Sequence, residues 1–317
     1  MKPLNWATLG CGVIANELAT ALARQNRHLY SVANRTHEKA VAFAEKYQIA
    51  KVYDHLEDVF TDPDVDIIYI STPHNTHIQY LRQALANGKH VLCEKSITLN
   101  SNELDEAIAL AEKNHVILAE AMTIFHMPIY RKLAEIISFG TLGPLRLVQV
   151  NFGSYKEYDM NNRFFNMNLA GGALLDIGVY ALSLIRWFFA ETANQVLSQV
   201  KYAPTGVDEQ AGILLMNPAG EMATVTLSLH AKQPKRATIA FDKGYIEIFE
   251  YPGAMEATIT YTGDGHKETI SSGATSDALS YEVADMEAAV RSNDLSTIES
   301  LMHLTYTQDV MHIMTEI

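Results

Sequence analysis

The chain opens on an apolar run, Leu4 to Leu9, that breaks at Gly10-Cys11-Gly12, resumes at Val13-Ile14-Ala15 and takes up helical spacing from Asn16 to Gln25. The pattern then repeats. Leu29 to Ala33, Ile67 to Ser71, His90 to Cys93 and Val116 to Ala119 are short and apolar enough for buried strands. Glu38 to Tyr47, His77 to Ala86 and Ser101 to Asn114 have the spacing of helices, and Asn87-Gly88 stops one of them. Strands alternating with helices at this spacing predict a parallel sheet covered on both faces. Near Met122 the pattern changes. Pro128 to Phe139 predicts a helix, Leu145 to Phe152 a strand, and Asp176 to Phe189 a strongly apolar helix. From Gln195 to Ile270, period-two stretches such as Ala223 to Leu229, Ala237 to Phe241 and Tyr245 to Phe249 are separated by turn signals at Asn217-Pro218, Lys243-Gly244 and Gly263-Asp264. Consecutive strands with short turns predict an antiparallel sheet. Ala278 to Arg291 and Thr297 to Thr315 close the chain as helices. The expected class is α/β: a doubly wound parallel sheet over residues 1–121, then an α+β domain with a large, mostly antiparallel open sheet over 122–317.

The first break carries chemistry. A strand, a glycine turn and a helix N-terminus in that order form a Rossmann-type pyrophosphate site for a dinucleotide. Gly10 lets the backbone turn sharply, Gly12 lets it approach the phosphates, and Ala15 is small enough for the helix to pack on the sheet. First-turn N–H groups, at Val13 and Ile14, then attract the anion. An ordinary strand-to-helix turn has the same glycines; the strand before and the helix after favour the nucleotide. The end of the second strand selects the cofactor, because an acid there holds a ribose 2′-OH and repels a 2′-phosphate. Ala33 and Asn34 occupy that place and Arg35 follows, a guanidinium fork able to pair with a phosphate. NADP is therefore expected over NAD, the plainer reading being that Arg35 is a solvated loop residue.

Composition narrows the partners. Among 317 residues the formal net charge is −13, which argues against nucleic acid or an anionic membrane and requires any anionic cofactor to be held locally. The first strand begins almost at once, leaving no room for a cleavable signal, and no apolar run is read as reaching a bilayer span, so a cytoplasmic protein is expected. Cys11 and Cys93 would end two strands separated by a third, too far apart to bridge, and are expected to be reduced packing residues.

Two further segments, Thr72-Pro73-His74-Asn75-Thr76-His77 and Cys93-Glu94-Lys95-Ser96, fall at the carboxyl ends of strands, where ligands of open α/β sheets sit. Ser71, Thr72, Pro73, Asn75, His77, Glu94 and Lys95 are expected to face the cofactor, with Asn34 and Arg35 at its other end. His74 and His77 do not read as metal ligands: no acid or thiol stands at a matching spacing, and a helix N-terminus disfavours a cation, so no metal is expected. Farther on, Gly171-Gly172 permits close backbone approach, and Asp176 and Tyr180, four apart, share one helix face. They are either reactive groups or a buried tyrosine bonded to a capping aspartate. Arg163, just upstream, is either a substrate contact or a surface ion pair.

These segments together resemble the Gfo/Idh/MocA family of oxidoreductases, and within it the branch of dimeric dihydrodiol and NADP-dependent xylose dehydrogenases. The resemblance rests on Gly10-Cys11-Gly12-Val13-Ile14-Ala15, Glu94-Lys95, Glu120-Ala121-Met122 and Gly171-Gly172-Ala173-Leu174-Leu175-Asp176-Ile177-Gly178-Val179-Tyr180. It implies that Lys95, Asp176 and Tyr180 form the catalytic group, with Asp176 and Tyr180 toward substrate. Three positions depart from the family pattern. Ser96 stands for a usual proline, which implies a looser loop behind Lys95; Ala170 replaces the first glycine of a triplet; and Thr123-Ile124-Phe125 replaces a Trp-Thr-Arg that would have supplied an aromatic and a cation, so the relatives' substrate does not carry over.

Hydride transfer at a carbinol carbon needs an acid–base group at its oxygen. A phenol has a pKa of about 10, and a neighbouring ammonium lowers it. Tyr180 with Lys95 meets that need, the two roles being exchangeable, while Asp176 is expected to orient a substrate hydroxyl or Lys95. The expected function is an NADP(H)-dependent dehydrogenase acting on a sugar, cyclitol or vicinal diol. One rival is a cofactor-binding sensor that keeps the fold without the chemistry; a second keeps the cofactor tightly bound and oxidises one sugar while reducing another. Val225, Leu227 and Leu229 alternate with Thr and Ser, and a homodimer through the C-terminal sheet is expected.

Overall fold

The computed structural model describes residues 3–317. The chain forms two compact units, one running through Ala121 and regained at Leu279–Leu304, the other Met122–Ala278 with Thr305–Ile317.

In the first unit the strands are β1 (Trp6–Leu9), β2 (Ser31–Ala33), β3 (Lys51–Val52), β4 (Ile67–Ile70), β5 (His90–Glu94) and β6 (Leu118–Ala121), and the intervening helices α1 (Val13–Arg24), α2 (His37–Tyr47), α3 (Asp58–Thr61), α4 (His77–Ala86) and α5 (Ser101–Lys113). The sheet is parallel throughout, in the order β3-β2-β1-β4-β5-β6. Every residue of β1 and β4 is buried, as a strand covered on both faces requires. β1 and β5 are separated by β4, so Cys11 and Cys93 are free thiols as expected; burial pushes Cys11 up to about 11 and Cys93 well above its ordinary value, keeping both protonated. Two elements lie outside the sequence expectation: β3 and α3 are too short to show a period.

The return of the chain is a second difference. A single crossing at residue 121 is expected from sequence, yet α9 (Ala278–Arg291) and α10 (Leu295–Met302) belong mainly to the first unit. Val283, Met286, Ala289 and Met302 join the core of Trp6, Leu18, Leu22, Phe43 and Tyr69. Trp6 Nε1 donates to Glu287 at 2.9 Å, and Arg27 pairs with the same carboxylate. The helix expected over 297–315 is broken at His303, which takes a left-handed φ of 53°, and the chain continues as α11 (Leu304–Glu316) in the second unit.

The second unit contains α6 (Thr123–His126), α7 (Pro128–Ser138), β7 (Leu145–Gly153), α8 (Val179–Phe188), β8 (Gln195–Tyr202), β9 (Asp208–Met216), β10 (Met222–Ser228), β11 (Gln233–Phe241), β12 (Gly244–Phe249), β13 (Glu256–Tyr261) and β14 (Lys267–Ser271). The sheet order is β14-β13-β12-β11-β7-β10-β9-β8. Neighbours are antiparallel except β7 and β10, because the crossover through α8 carries the chain to the far edge before it returns beside β7. Val148, Val150, Ile213, Leu215, Val225 and Leu227 alternate into one buried face, on which α8 packs. α11 braces α8 through Arg186 Nε, which meets Asp309 Oδ2 at 2.6 Å. On the other face Leu197, Leu214, Thr224, Gln149 and Thr238 stand in register, none buried and Leu197 67% exposed.

The segment Met167–Phe188 is long and apolar enough by composition to cross a membrane, correcting the expectation that no run reaches that length. It is not one straight helix. Ala170 has φ 55° and Gly172 φ 129°, a π turn occupies Leu174–Gly178, and the α8 portion lies on β7 and β10.

Candidate active site

Parallel register brings the expected cofactor residues of the first unit to one edge of its sheet. Leu9 pairs with Ala33 and Ile70, Ile70 with Cys93, and Glu94 with Ala121, so Gly10, Asn34, Ser71 and Lys95 each follow an aligned strand end. Gly10 has φ 108°, and a Cβ there would stand 2.9 Å from Ser71 Oγ; only glycine serves. Its N–H donates to Ala33 O at 2.9 Å, and Ser71 N–H to Leu9 O at 2.9 Å, so the turn is strapped to the strands on either side. Gly12 leads into α1 with no side-chain cap, no acid occupies the first turn, and Val13 is 78% exposed. The leading amides thus keep their attraction for an anion. At the end of β2 Asn34 Nδ2 donates to Thr36 O at 2.9 Å, fixing the bend from which exposed Arg35 projects.

His77 does not face a ligand. It is fully buried, with Nδ1 3.0 Å from Ser96 O and Nε2 2.8 Å from Thr72 O, and burial holds its pKa below the usual value. Its expected cofactor role is corrected to that of a strut between the loops after β4 and β5. Thr72 is engaged within its own turn, accepting from Thr76 Oγ1 at 2.8 Å, while Pro73 and Asn75 are exposed. The expected looseness at Ser96 is corrected too. Ser96 is buried and held by His77, and the next amide, Ile97 N–H, donates to buried Glu120 Oε1 at 3.1 Å. Glu94 accepts a short hydrogen bond from the buried Tyr69 phenol. Burial raises the Glu94 carboxyl to about 7, against the opposing pull of Tyr69 and Lys95.

In the second unit the expected substrate residues do meet. Arg163 Nη2 lies 3.6 Å from Asp176 Oδ1, the arginine side chain 61% and the aspartate 14% exposed. The guanidinium also sits 4.5 Å above the Phe164 ring. Asp176 belongs to the π turn Leu174–Gly178 and Tyr180 to the first turn of α8, so the helix begins two residues earlier than expected and wider. Tyr180 is half-buried, its ring 6.2 Å from Phe152. The glycine pair before it is explained by what approaches. A Cβ on Gly171 would stand 2.7 Å from the Arg163 and Phe164 carbonyl oxygens, and one on Gly172 2.1 Å from Asp208 Oδ1.

Asp208 and Glu209 were missed by sequence reasoning. Asp208 Oδ2 accepts from Leu174 N–H at 2.6 Å, and burial lifts its carboxyl to about 6. Glu209, fully buried, receives Tyr158 Oη at 3.0 Å and Lys201 Nζ at 2.9 Å, with His230 Nε2 2.8 Å away. One signal existed: in β9 the period-two row of Ala211, Ile213 and Leu215 includes Glu209, a carboxylate in an apolar register that must find donors.

A glycine turn at a bare helix N-terminus, on a sheet of order 3-2-1-4-5-6, followed by a large mixed sheet, defines a two-unit dinucleotide-dependent oxidoreductase. Residues 4–122 match the oxidoreductase family with an NAD-binding Rossmann fold, and residues 130–247 the C-terminal domain of the same family. The chain belongs to the Gfo/Idh/MocA family, as the resemblance in its motifs implied. It is 34% identical to trans-1,2-dihydrobenzene-1,2-diol dehydrogenase of Mus musculus over 77% of this chain and 74% of that protein. Among solved structures it is similar to a 3-ketoreductase from Actinomadura kijaniata in complex with NADP and TDP-benzene, with TM-score 0.83 at 21% identity over 97% of this chain and 95% of the other. The UDP-N-acetylglucosamine 3-dehydrogenase of Acidithiobacillus ferrooxidans superposes with TM-score 0.84 at 18% identity, over 100% of this chain and 97% of that one.

Proposed function

We propose that this protein is an NADP(H)-dependent dehydrogenase that oxidises a hydroxyl carbon of a sugar, cyclitol or vicinal diol, or reduces the corresponding carbonyl. The observation that carries the reading is the retention of Lys95, Asp176 and Tyr180 in the family's pattern, with Asp176 in the π turn, Tyr180 in the first turn of α8 that continues it, and Arg163 beside Asp176. A sensor without chemistry has no use for that trio. The turn at Gly10 and Gly12 and the amides of Val13 and Ile14 fit a pyrophosphate. Ala33, Asn34 and Arg35 fit a 2′-phosphate, in keeping with the NADP-bound ketoreductase. When bound, the cofactor's nicotinamide gives or takes the hydride. Tyr180 takes the hydroxyl proton during oxidation and returns it during reduction, Lys95 favours its phenolate and hydrogen-bonds the oxygen, and Asp176, steadied by Arg163, orients a neighbouring hydroxyl.

A panel of pentoses, hexoses, cyclitols and trans-1,2-diols, read by nicotinamide absorbance, tests the reading. At least one member is expected to turn over with NADP⁺ better than with NAD⁺, and Arg35→Ala is expected to weaken NADPH binding by about tenfold while leaving NADH unchanged. No turnover across the panel, or equal losses for both cofactors, counts against it.

The same reading includes a homodimer. The face bearing Leu197, Leu214 and Leu147 beside Thr224, Gln149 and Thr238 is semi-polar and open, as a sheet that packs against its own copy requires. Light scattering at micromolar concentration should give a dimer mass, and Leu197→Arg a monomer. A monomeric wild type refutes this part.

A further inference from the structure

The turn that carries Asp176 and Tyr180 does not begin on its own resources. Among its leading amides, Leu174 N–H is satisfied by a side chain from β9, Asp208 Oδ2 at 2.6 Å. The seat is shaped for it: Gly172, at φ 129°, leaves the space that Asp208 Oδ1 fills, where any Cβ would lie 2.1 Å away. The neighbouring residue anchors the other side. Glu209 gathers Tyr158, Lys201 and His230, and Tyr158 packs edge-on to Phe165 at 5.1 Å, in the loop that also carries Arg163. Within the second unit, then, one dipeptide at the start of β9 fastens both the helix that bears Asp176 and Tyr180 and the loop that bears Arg163.

We propose that Asp208 is a positioning residue for the reaction: by gripping the Leu174 amide it sets where Asp176 and Tyr180 project. A carboxylate acceptor on a leading amide is a strong cap, and it acts two residues before Asp176 and six before Tyr180, too near for a shift of the turn to be absorbed. Displacements of about 1 Å in a reacting group cost on the order of a hundredfold in rate, so a lost grip is read in kcat.

The inference rests on the dehydrogenase reading, and the test separates the two. With the best substrate from the panel, Asp208→Ala should lower kcat at least about tenfold with the KM for NADP⁺ unchanged. Asp208→Asn, whose amide oxygen still accepts from Leu174, should stay within about threefold of wild type, whereas Asp208→Glu, which keeps the charge but moves it by a methylene, should fall below Asp208→Asn. Hydrogen exchange at residues 173–176 should quicken at least about tenfold in Asp208→Ala and Asp208→Glu and stay slow in Asp208→Asn. Should Asp208→Ala not fold, the Asn and Glu pair carries the same comparison. Wild-type kcat in Asp208→Glu, or equal loss in the Asn and Glu variants, overturns the positioning role. If Tyr180→Phe is itself fully active, the failure belongs to the dehydrogenase reading instead.

Discussion

Tyr180→Phe and Lys95→Ala are each expected to lower kcat by about three orders of magnitude, with NADPH binding by fluorescence within about twofold of wild type. The phenylalanine keeps the ring against Phe152 and removes only the hydroxyl, so the loss reads the proton step and not packing. Lys95→Ala leaves the loop behind it in place, because Ser96 O is held by His77 and Ile97 N–H by Glu120. On the proposed roles, removing the Lys95 ammonium should also displace the pH–rate profile. The alkaline tyrosine, with a free pKa of about 10, should leave residual activity rising toward high pH in Lys95→Ala. Near-wild-type turnover in either variant removes that residue from the catalytic group.

Glu94 should give the protein a stability that declines as pH rises from the acid side toward neutrality. Its carboxyl lies near 7 in the fold, against an ordinary 4.5, because burial disfavours the charge more than Tyr69 and Lys95 favour it. Between 4.5 and 7 the folded state therefore binds the extra proton, and stability falls with increasing pH across that window. Below 4.5 the contribution is fully present and above 7 it is gone. Glu94→Gln keeps an acceptor for Tyr69 and cannot ionise. Its unfolding free energy should thus rise relative to wild type from pH 4.5 to pH 8, by up to about 3 kcal/mol, as denaturant melts at a series of pH values would show. Parallel curves for the two proteins would sink the assignment.

What the sequence made legible follows from how far each signal reaches. The run of β1, Gly10 and α1 was readable because strand, turn and helix are contiguous, and the family, the fold class and the oxidoreductase activity followed from its motifs. Gly171 and Gly172 were readable as points of close approach, but not what approached. Asp208 is distant in sequence, and a carboxylate's partner is a property of the folded register. His77 reads as a polar residue at a helix start; only the carbonyls of Thr72 and Ser96 make it a strut. α9 shows an ordinary apolar stripe, and nothing in Val283, Met286 and Ala289 says which of two cores they enter.

That last choice governs how the molecule can be made. Translation delivers residues in order, yet the nucleotide-binding half lacks part of its interior until Val283 to Met302 have emerged, and the sheet half still awaits Asp309 to tether Arg186. A chain interrupted before these residues are made would expose two unfinished cores at once instead of releasing one finished domain.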